Sequence, residues 1–342
     1  MSPSDPVDRA PNLAGLAGGE LTIDLGAIAA NWTALKGRLR PGATCAAVVK
    51  ADAYGLGLAP VARVLWAAGC RSFFVALAGE GLALRALLPE AEIAVFNGVD
   101  AASAGVLVEG GLTPVLNHPG QVADWAAAAA RAGTALPAVL HLDTGITRLG
   151  FDDADVAALA ADPSGLAGLR LTGIMSHLAC ADQPDHVLND EQRRRFDAAL
   201  ARLAGLGPLR RSLANSSGIF LGPAYHYDLA RPGAALYGVA PQKSAPNPMA
   251  QVVSLKGKII QSRTIDTPRC VGYGATHRAE PGRRIATVAV GYADGYLRSL
   301  SGSARAHVGD TPVQVVGRVS MDLITVDVTD VPEIAVRPGA YV

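Results

Sequence analysis

The chain has 342 residues, of which half are hydrophobic and 18% are charged, so it is long enough to form one large domain or two with a sizeable core. Its 30 basic side chains equal its 30 acidic side chains, and this balance gives no electrostatic indication of nucleic acid or an anionic membrane as a partner. The four cysteines form no C-x-x-C pair, which argues against a metal site or a disulfide framework and favours free thiols in a reducing cytoplasm.

The first 19 residues, MSPSDPVDRAPNLAGLAGG, predict a disordered leader. They contain no basic region followed by an apolar run, which a signal peptide would have, and no later stretch is long and apolar enough to cross a bilayer. We therefore expect a cytoplasmic protein that acts on a small molecule. The next segment, ELTIDL (20–25), predicts a short strand that could pair with the C-terminal part of the chain.

From about residue 26 to residue 240, short β-rich runs alternate with helical runs rich in alanine and leucine. GAIAANWTALKGRL predicts a helix capped by Asp24, and LAPVARVLWAAG predicts a helix that ends at Gly69. Eight strands are predicted: TCAAVVK, RSFFVA, AEIAVFNG, LTPVLN, PAVLHLD, LRLTGIMSHLA, RRSLANS and YHYDLARPG. This alternation indicates parallel βαβ units, and eight units match a (β/α)8 TIM barrel over residues 20–244. An open doubly wound sheet is the alternative, but no G-x-G-x-x-G follows the first strand.

Near residue 245 the pattern changes. SAPNPMA is a turn-rich linker, and β-branched alternating runs with almost no helix between them follow it: VVSLKGKIIQSRTI, RRIATVAVGYA, ARAHVG, TPVQVVGRVS and LITVDVTDV. These runs predict a second, all-β domain over residues 245–342.

Reactive side chains fall at the carboxyl ends of the predicted strands, where parallel barrels carry their active sites. They are Lys50, Asp143, Arg148, His177, Asn215, Ser216 and Arg231. Singly, each has a structural explanation: Lys50 as a surface lysine, NSSG (215–218) as a helix N-cap and Arg231 as an ion pair in a loop. Together, they predict one shared pocket.

The residue types suggest a cofactor for this pocket. A partly desolvated lysine can lose its proton and attack an aldehyde, and pyridoxal phosphate is the usual aldehyde partner. Its phosphate needs N–H groups and hydroxyls, which NSSG and RPGAALYG (231–238) offer in turns that open toward a helix. Tyr54, four residues after Lys50, adds a phenol. The pattern therefore predicts a pyridoxal phosphate site around Lys50.

VVKADAYGLG, around Lys50, resembles the cofactor-lysine signature of alanine racemases, which are fold-type III pyridoxal phosphate enzymes. The resemblance continues, in the family's order and spacing, through LDTGITRLG (142–150), MSHLACAD (175–182), ANSSG (214–218), RPGAALYG (231–238), GYGATHRA (272–279), GYADGY (291–296) and GRVSMD (317–322). It covers almost the whole chain and implies a (β/α)8 barrel followed by a β-domain.

The resemblance implies interconversion of L-alanine and D-alanine, which supplies D-alanine for peptidoglycan precursors. It also implies a homodimer in which Lys50 serves one face of the substrate and Tyr273 of the partner subunit serves the other. Arg148 and His177 would assist that tyrosine. Arg231 would face the pyridine nitrogen, and because arginine keeps its proton, the nitrogen would stay unprotonated.

The binding residues are also implied by the resemblance. The cofactor would be held by Lys50, Tyr54, Asn215, Ser216, Arg231, Gly233 and Ala234. The substrate would be bound by Arg148, Tyr292 and Met321, the last two from the partner subunit. A small pocket would suit alanine, and we expect serine to be a weak substrate because one added group changes binding little.

The sequence departs from the family pattern at two places. Many members carry a carbamylated lysine, which orients the arginine matching Arg148, at the position of His141. We expect His141 to bond Arg148 differently, or Arg148 to rely on something else, such as a bound anion. The chain also stops at Val342, before the further strands, helix and tyrosine that the family normally has, so the β-domain is expected to be cut short.

Three other functions remain open from the sequence. They are a broad-specificity amino-acid racemase on the same scaffold, a non-catalytic pyridoxal phosphate-binding protein disabled by the shortened C-terminus, and a fold-type III decarboxylase. The binding proteins usually lack the β-domain and the tyrosine of GYGAT, and the decarboxylases usually place a glutamate where this chain has Arg231. Both features favour alanine racemisation.

Overall fold

A computed structural model describes residues 16–342, so most of the predicted leader lies outside the described residues. Gly19, which we assigned to that leader, already belongs to the first strand, β1 (Gly19–Ile23). The described chain divides into two compact units: Ile23–Val253, and Ser254–Val342 together with residues 16–22. Across residues 16–342, no helix combines the length and the hydrophobicity needed to cross a membrane.

The first unit is built on parallel strands. In chain order they are β2 (Thr44–Cys45), β3 (Ala47–Val48), β4 (Ser72–Val75), β5 (Glu92–Val95), β6 (Thr113–Leu116), β7 (Leu136–His141), β8 (Leu169–Met175), β9 (Arg210–Ser212) and β10 (Leu229–Ala230). Strands β3 to β9 pair in sequence order, and β10 pairs with β2. The N–H groups of Asp228 and Arg231 donate to the carbonyls of Arg211 and Ala214, which joins β10 to β9 and closes the ring. The predicted barrel is confirmed, and the open sheet is excluded.

Besides short 3₁₀ helices, this unit has eight helical segments, of which the first precedes the barrel strands and the second is a short left-handed turn. They are α1 (Leu25–Gly37), α2 (Lys50–Gly55), α3 (Leu58–Ala67), α4 (Ala78–Leu87), α5 (Ala104–Glu109), α6 (Pro119–Ala132), α7 (Asp153–Ala161) and α8 (Leu188–Arg202). As expected, Asp24 caps α1, because its carboxylate accepts a hydrogen bond of 2.9 Å from the Ala27 N–H.

Alternation along the strands separates two cores. Phe73 and Ile93 pack in the larger core that contains the helices, whereas their neighbours Phe74 and Ala94 belong to a smaller cluster with Met175. Successive side chains of a strand point to opposite faces, so one face contacts the helices and the other fills the barrel. The barrel thus presents the carboxyl ends of its strands at one rim.

The turn-rich segment after residue 244 groups with the barrel unit, although the sequence placed it in the β-domain. Buried Asn31 of α1 explains this. Its amide donates to the carbonyl of Ala250 at 3.0 Å, and its Oδ1 accepts from the Ala250 N–H at 2.7 Å. The Asp24 N–H also donates to the carbonyl of Val252 at 2.8 Å. These bonds hold Ala250 against α1 and Val252 against the residue that caps it.

The second unit is all-β. Its strands are β11 (Val253–Gly257), β12 (Ile259–Thr264), β13 (Arg269–Val271), β14 (His277–Ala279), β15 (Arg284–Val288), β16 (Arg305–Val308), β17 (Thr311–Val316) and β18 (Ile324–Asp327). An antiparallel sheet has the order β12-β15-β18-β17-β16, and β1 pairs with β11. We did not predict the hairpin β13–β14, because strands of three residues beside Gly272 show too little alternation.

Candidate active site

Lys50 lies at the carboxyl end of the first barrel strand, and the backbone immediately after it is unusual. Ala51, Asp52, Ala53 and Tyr54 all have left-handed backbone conformations, with φ of 52°, 52°, 54° and 59°. Each left-handed residue with a Cβ costs about 1–2 kcal/mol, so four in succession require strong support from their surroundings. Such strain is commonly stored at functional sites.

Three side chains support this left-handed turn. The carboxylate of Glu80 accepts from the Ala51 N–H at 2.7 Å and from the Ala76 N–H at 2.8 Å. The carboxylate of Asp52 accepts from the Leu58 N–H at 2.6 Å. The ring of Tyr54 lies 4.6 Å from the ring of Tyr237, whose hydroxyl donates to the carbonyl of Val48 at 2.9 Å. These contacts fix the backbone that positions Lys50 and Tyr54 at the rim of the barrel.

A cavity of about 230 Å³ opens above the carboxyl ends of the strands. Every barrel residue that the resemblance assigned to the site lines it: Lys50, Tyr54, Arg148, His177, Asn215, Ser216, Arg231, Gly233 and Ala234. A neighbouring cavity of about 250 Å³ shares Lys50, Arg148 and His177 with the first and adds His141. We call the two together the rim cavity.

A larger cavity, of about 500 Å³, lies at the amino-terminal ends of the strands, where Ser72 and Glu92 line it. None of the site residues named above lines it. Because reactive groups converge at the other rim, and because parallel barrels carry their chemistry at the carboxyl ends, we place the active site in the rim cavity.

Arg231 is the most deeply buried charge of the site, with 2% of its surface exposed. Its guanidinium donates to the hydroxyl of Ser212 and, at 2.6 Å, to the carbonyl of Ser176. Burial lowers the pKa of Arg231 to about 9, so it stays protonated at neutral pH. Its Nε has no hydrogen-bond partner within the described residues. An unprotonated ring nitrogen is an acceptor that would satisfy this donor, so Arg231 fits pyridoxal phosphate.

The part of the cavity that Ser216 and Gly233 line suits a phosphate. Ser216 accepts from the N–H groups of Gly233 and Ala235 at 2.9 and 3.1 Å, which leaves its own hydroxyl proton available. A Cβ at Gly233 would lie 2.2 Å from the hydroxyl oxygen of Tyr54, so only glycine permits that close approach. Hydroxyls and N–H groups of this kind are the donors that phosphate groups need.

Both histidines of the rim cavity are neutral at pH 7. Burial, followed by the positive charges of Arg231 and Arg148, lowers the pKa of His177 to about 3. Burial and Arg231 lower the pKa of His141 to about 4. Neutral imidazoles can both donate and accept a hydrogen bond, so these rings orient their neighbours without adding charge.

The remaining predicted residues lie in the second unit, where three motif loops meet. Gly274, beside Tyr273, lies against the guanidinium of Arg318. The Tyr292 N–H donates to the carbonyl of Ser320 at 3.0 Å, and the Ala293 N–H donates to that of Met321 at 2.7 Å. Tyr273 is 71% exposed and Met321 is 58% exposed. The loops of GYGAT, GYADGY and GRVSMD therefore present Tyr273, Tyr292 and Met321 on this unit as exposed side chains.

Sequence reasoning missed several residues that shape the rim cavity. Glu80 gave no signal, because its role depends on the folded path of residues 50–54. Ser212 lies on β9, and its hydroxyl accepts a hydrogen bond from the guanidinium of Arg231. Phe96 lines both parts of the cavity and stacks on Phe74. Phe96 follows a strand, so its position could have suggested it, whereas Ser212 is one serine among many.

Comparisons with known proteins agree with this geometry. The family model "Alanine racemase, N-terminal domain" matches residues 23–241, and "Alanine racemase, C-terminal domain" matches residues 252–342. The alanine racemase of Rhodospirillum rubrum is 57% identical over 323 residues, which cover 94% of this chain and 86% of that protein. The alanine racemase of Brucella abortus is 45% identical over 340 residues, covering 95% and 85%.

Solved structures give the same result. The crystal structure of alanine racemase from Bartonella henselae with covalently bound pyridoxal phosphate has a TM-score of 0.88 and 37% identity, covering 95% of this chain and 89% of that one. The biosynthetic alanine racemase from Pseudomonas aeruginosa has a TM-score of 0.84 and 36% identity, with the same coverage. The chain therefore belongs to the alanine racemase family of pyridoxal-phosphate-dependent enzymes.

Proposed function

We propose that the chain interconverts L-alanine and D-alanine with Lys50 as the cofactor lysine and Tyr273 as the second base. The observation that supports this most strongly is the rim cavity, in which Lys50 lies with the unpartnered Nε donor of Arg231 and the donors around Ser216. Relatives at 45–57% identity that are named alanine racemases favour alanine over a broader range of amino acids.

Pyridoxal phosphate, when bound, accepts the electron pair left on the substrate Cα after a proton is removed. The residues of this chain supply the rest. The Lys50 amine takes and returns the proton on one face of Cα. Tyr54, Ser216 and the backbone of Gly233 and Ala234 would hold the phosphate, with the Ala234 N–H as the donor because the Gly233 N–H already donates to Ser216. Arg231 would donate a hydrogen bond to the ring nitrogen of the cofactor from a guanidinium that keeps its proton. The ring nitrogen then stays unprotonated, which limits electron withdrawal by the ring and disfavours protonation at a carbon other than Cα.

Arg148 and His177 complete the barrel side of the proposed site. The guanidinium of Arg148 is suited to a carboxylate, because its donors match the two oxygens, and we assign it to the substrate carboxylate. His177 is held neutral and lies in the same cavity, so we assign it to hydrogen bonding with the second base.

A partner subunit supplies the second base in this proposal. Racemisation requires a base on each face of Cα, and Tyr273 of the partner subunit would serve the face opposite Lys50 in a homodimer. The partner's Tyr292 and the partner's Met321 would narrow the entrance to the size of alanine. The exposure of these side chains on the second unit supports their availability for such a contact.

We further infer that the protein works in the cytoplasm and supplies D-alanine for peptidoglycan precursors. The neutral charge balance of the chain and its scattered cysteines support a small-molecule enzyme in a reducing compartment.

Loading the protein with pyridoxal phosphate and assaying D-alanine formation from L-alanine tests this function. We expect the visible absorbance of lysine-bound cofactor together with turnover, and loss of both in Lys50→Ala. Lys36→Ala, which changes an exposed lysine of α1, is the matched control and should keep both. Absence of cofactor absorbance in the unaltered protein would refute the cofactor assignment, and absorbance without turnover would indicate a binding protein.

A further inference from the structure

His141 ends strand β7 and lies at the wall of the rim cavity, with 5% of its surface exposed. Only one of its ring nitrogens is hydrogen-bonded: Nδ1 lies 2.7 Å from the Oδ1 of Asn117. The other nitrogen, Nε2, is buried without a partner within residues 16–342. A buried polar atom that lacks a partner in an active-site wall requires an explanation, because nearly all such atoms are hydrogen-bonded.

Asn117 determines which nitrogen of His141 carries the proton. The Nδ2 group of Asn117 donates to the carbonyls of Phe96 at 2.9 Å and Val115 at 3.0 Å, so its Oδ1 must face His141 as an acceptor. Gln121 supports this arrangement, because its Oε1 accepts from Nδ2 of Asn117 at 3.3 Å as well as from the backbone N–H of Asn117 at 2.8 Å. The Nδ1 of His141 is therefore the donor, and a neutral ring has its lone pair at Nε2.

The charge state of His141 excludes one class of partner. Burial and the nearby guanidinium of Arg231 hold its pKa at about 4, so the ring is neutral at pH 7. The Nε2 atom then offers a lone pair and no proton. An anion cannot bind there, because it would also present lone pairs. The partner of Nε2 must be a donor, which favours the hydrogen-bonding alternative for Arg148 over the bound anion that we considered from the sequence.

Arg148 is the donor that the backbone brings to this place. The loop from Leu142 to Phe151 leaves His141 and returns to it, since the Phe151 N–H donates to the carbonyl of His141 at 2.8 Å. Arg148 lies within that loop and lines the same cavity as His141. Its guanidinium makes no hydrogen bond to any other residue of the described chain, so its donors are available.

We propose that Nε2 of His141 accepts a hydrogen bond from the guanidinium of Arg148 and positions it for the substrate carboxylate. His141 is a positioning residue in this role, and the role rests on the proposed function. A neutral acceptor orients the guanidinium without neutralising it, so the full positive charge of Arg148 remains for the substrate. The network Gln121–Asn117–His141–Arg148 thus connects the start of helix α6 to the substrate.

Two substitutions of similar size separate the two ring nitrogens. In His141→Gln the side-chain amide reaches the place of Nε2, whereas in His141→Asn it reaches the place of Nδ1. We expect His141→Asn to raise the KM for alanine roughly 10- to 100-fold with a smaller change in kcat, the loss expected for a hydrogen bond to a charged group. His141→Gln should recover most of the KM. His118→Asn, at an exposed histidine, is the control and should match the unaltered enzyme.

An unaltered KM in His141→Asn, or equal losses in the Asn and Gln variants, would overturn the proposal while leaving racemisation intact. Inactivity of the unaltered enzyme would instead refute the proposed function. The ¹⁵N NMR spectrum of the histidine-labelled holoenzyme gives a readout that does not depend on turnover. We expect a neutral ring with the proton on Nδ1 for His141 at pH 7, and a proton on Nε2 or a charged ring would contradict the proposal.

Discussion

Gly233 shows how one missing Cβ shapes the site. A Cβ there would lie 2.2 Å from the hydroxyl oxygen of Tyr54 and 3.3 Å from the Cβ of Val48. Tyr54 has little freedom to move away, because its ring packs on Tyr237 and its backbone belongs to the left-handed turn. The side chain that we assign to the phosphate therefore depends on a glycine in a different loop.

We predict that Gly233→Ala weakens pyridoxal phosphate binding at least about tenfold, because the new methyl group displaces the Tyr54 hydroxyl. Titration of the apoprotein with the cofactor, followed by absorbance, measures this. Gly105→Ala is a suitable control, since a Cβ at Gly105 meets nothing within 4 Å. Equal affinities of the two variants would show that Tyr54 does not hold the phosphate.

The neutral histidines make stability depend on pH. His141 has a pKa of about 4 in the folded protein, below the value of about 6.5 in an unfolded chain. Between these values the unfolded state binds more protons, so this contribution is fully present above about pH 6.5 and is lost as the pH falls toward 4. His177, with a pKa of about 3, acts in the same direction.

We predict that His141→Gln reduces the loss of unfolding free energy between about pH 7 and about pH 5 by about 2 kcal/mol, because one of the two histidines no longer titrates. Urea unfolding of the apoprotein at both pH values measures the difference. Comparing the variant with the unaltered protein cancels the contribution of the carboxylates. A pH dependence identical in both proteins would mean that His141 is not held neutral.

At the scale of elements, the left-handed turn after Lys50 depends on helix α4. The carboxylate of Glu80 accepts from three N–H groups, those of Ala51, Ala76 and Leu77. It thereby joins the start of α4 to the first residue of the turn. Because the turn carries both Lys50 and Tyr54, any loosening of this link displaces two residues of the proposed site together.

We predict that Glu80→Ala lowers the unfolding free energy by about 1–3 kcal/mol, since it leaves N–H groups without acceptors, and also weakens cofactor binding. Glu80→Gln keeps one acceptor oxygen, so its unfolding free energy and its cofactor affinity should lie between those of Glu80→Ala and those of the unaltered protein. Denaturant unfolding and cofactor titration measure the two effects, with exposed Glu90→Ala as the control. A loss of stability without any change in cofactor affinity would show that the turn does not depend on Glu80 for its geometry.

The same elements show which features of the structure could be predicted from the sequence. The eight barrel strands could be predicted because β-branched and apolar runs recur between helical runs, and Lys50 could be predicted because it ends one of them. The left-handed conformation of residues 51–54 could not be predicted, because alanine, aspartate and tyrosine normally avoid it and only tertiary contacts impose it. The acceptor role of His141 likewise depends on Asn117, which is distant in sequence and unremarkable by itself.

At the scale of the whole molecule, the proposed site needs two subunits. If Lys50 and Tyr273 of one site come from different chains, two inactive variants can complement each other. We predict that a mixture of Lys50→Ala and Tyr273→Phe subunits, dissociated and reassembled together, regains about a quarter of the unaltered activity. Half of the dimers are then mixed, and each mixed dimer has one intact site. Activity assays before and after mixing measure this, and no recovery would place both bases in one chain.

In the proposed mechanism, Lys50 and Tyr273 act on opposite faces of alanine. Because L-alanine and D-alanine have equal free energies, a variant must lose kcat/KM equally in both directions, so racemisation rates cannot separate the two bases. Exchange of the α-proton in deuterated water can, when followed by NMR for each enantiomer with Tyr273→Phe. We predict that one enantiomer continues to exchange through Lys50, while exchange of the other falls by roughly 10²-fold or more. Equal loss of exchange for both enantiomers, or no loss for either, would contradict the two-base account.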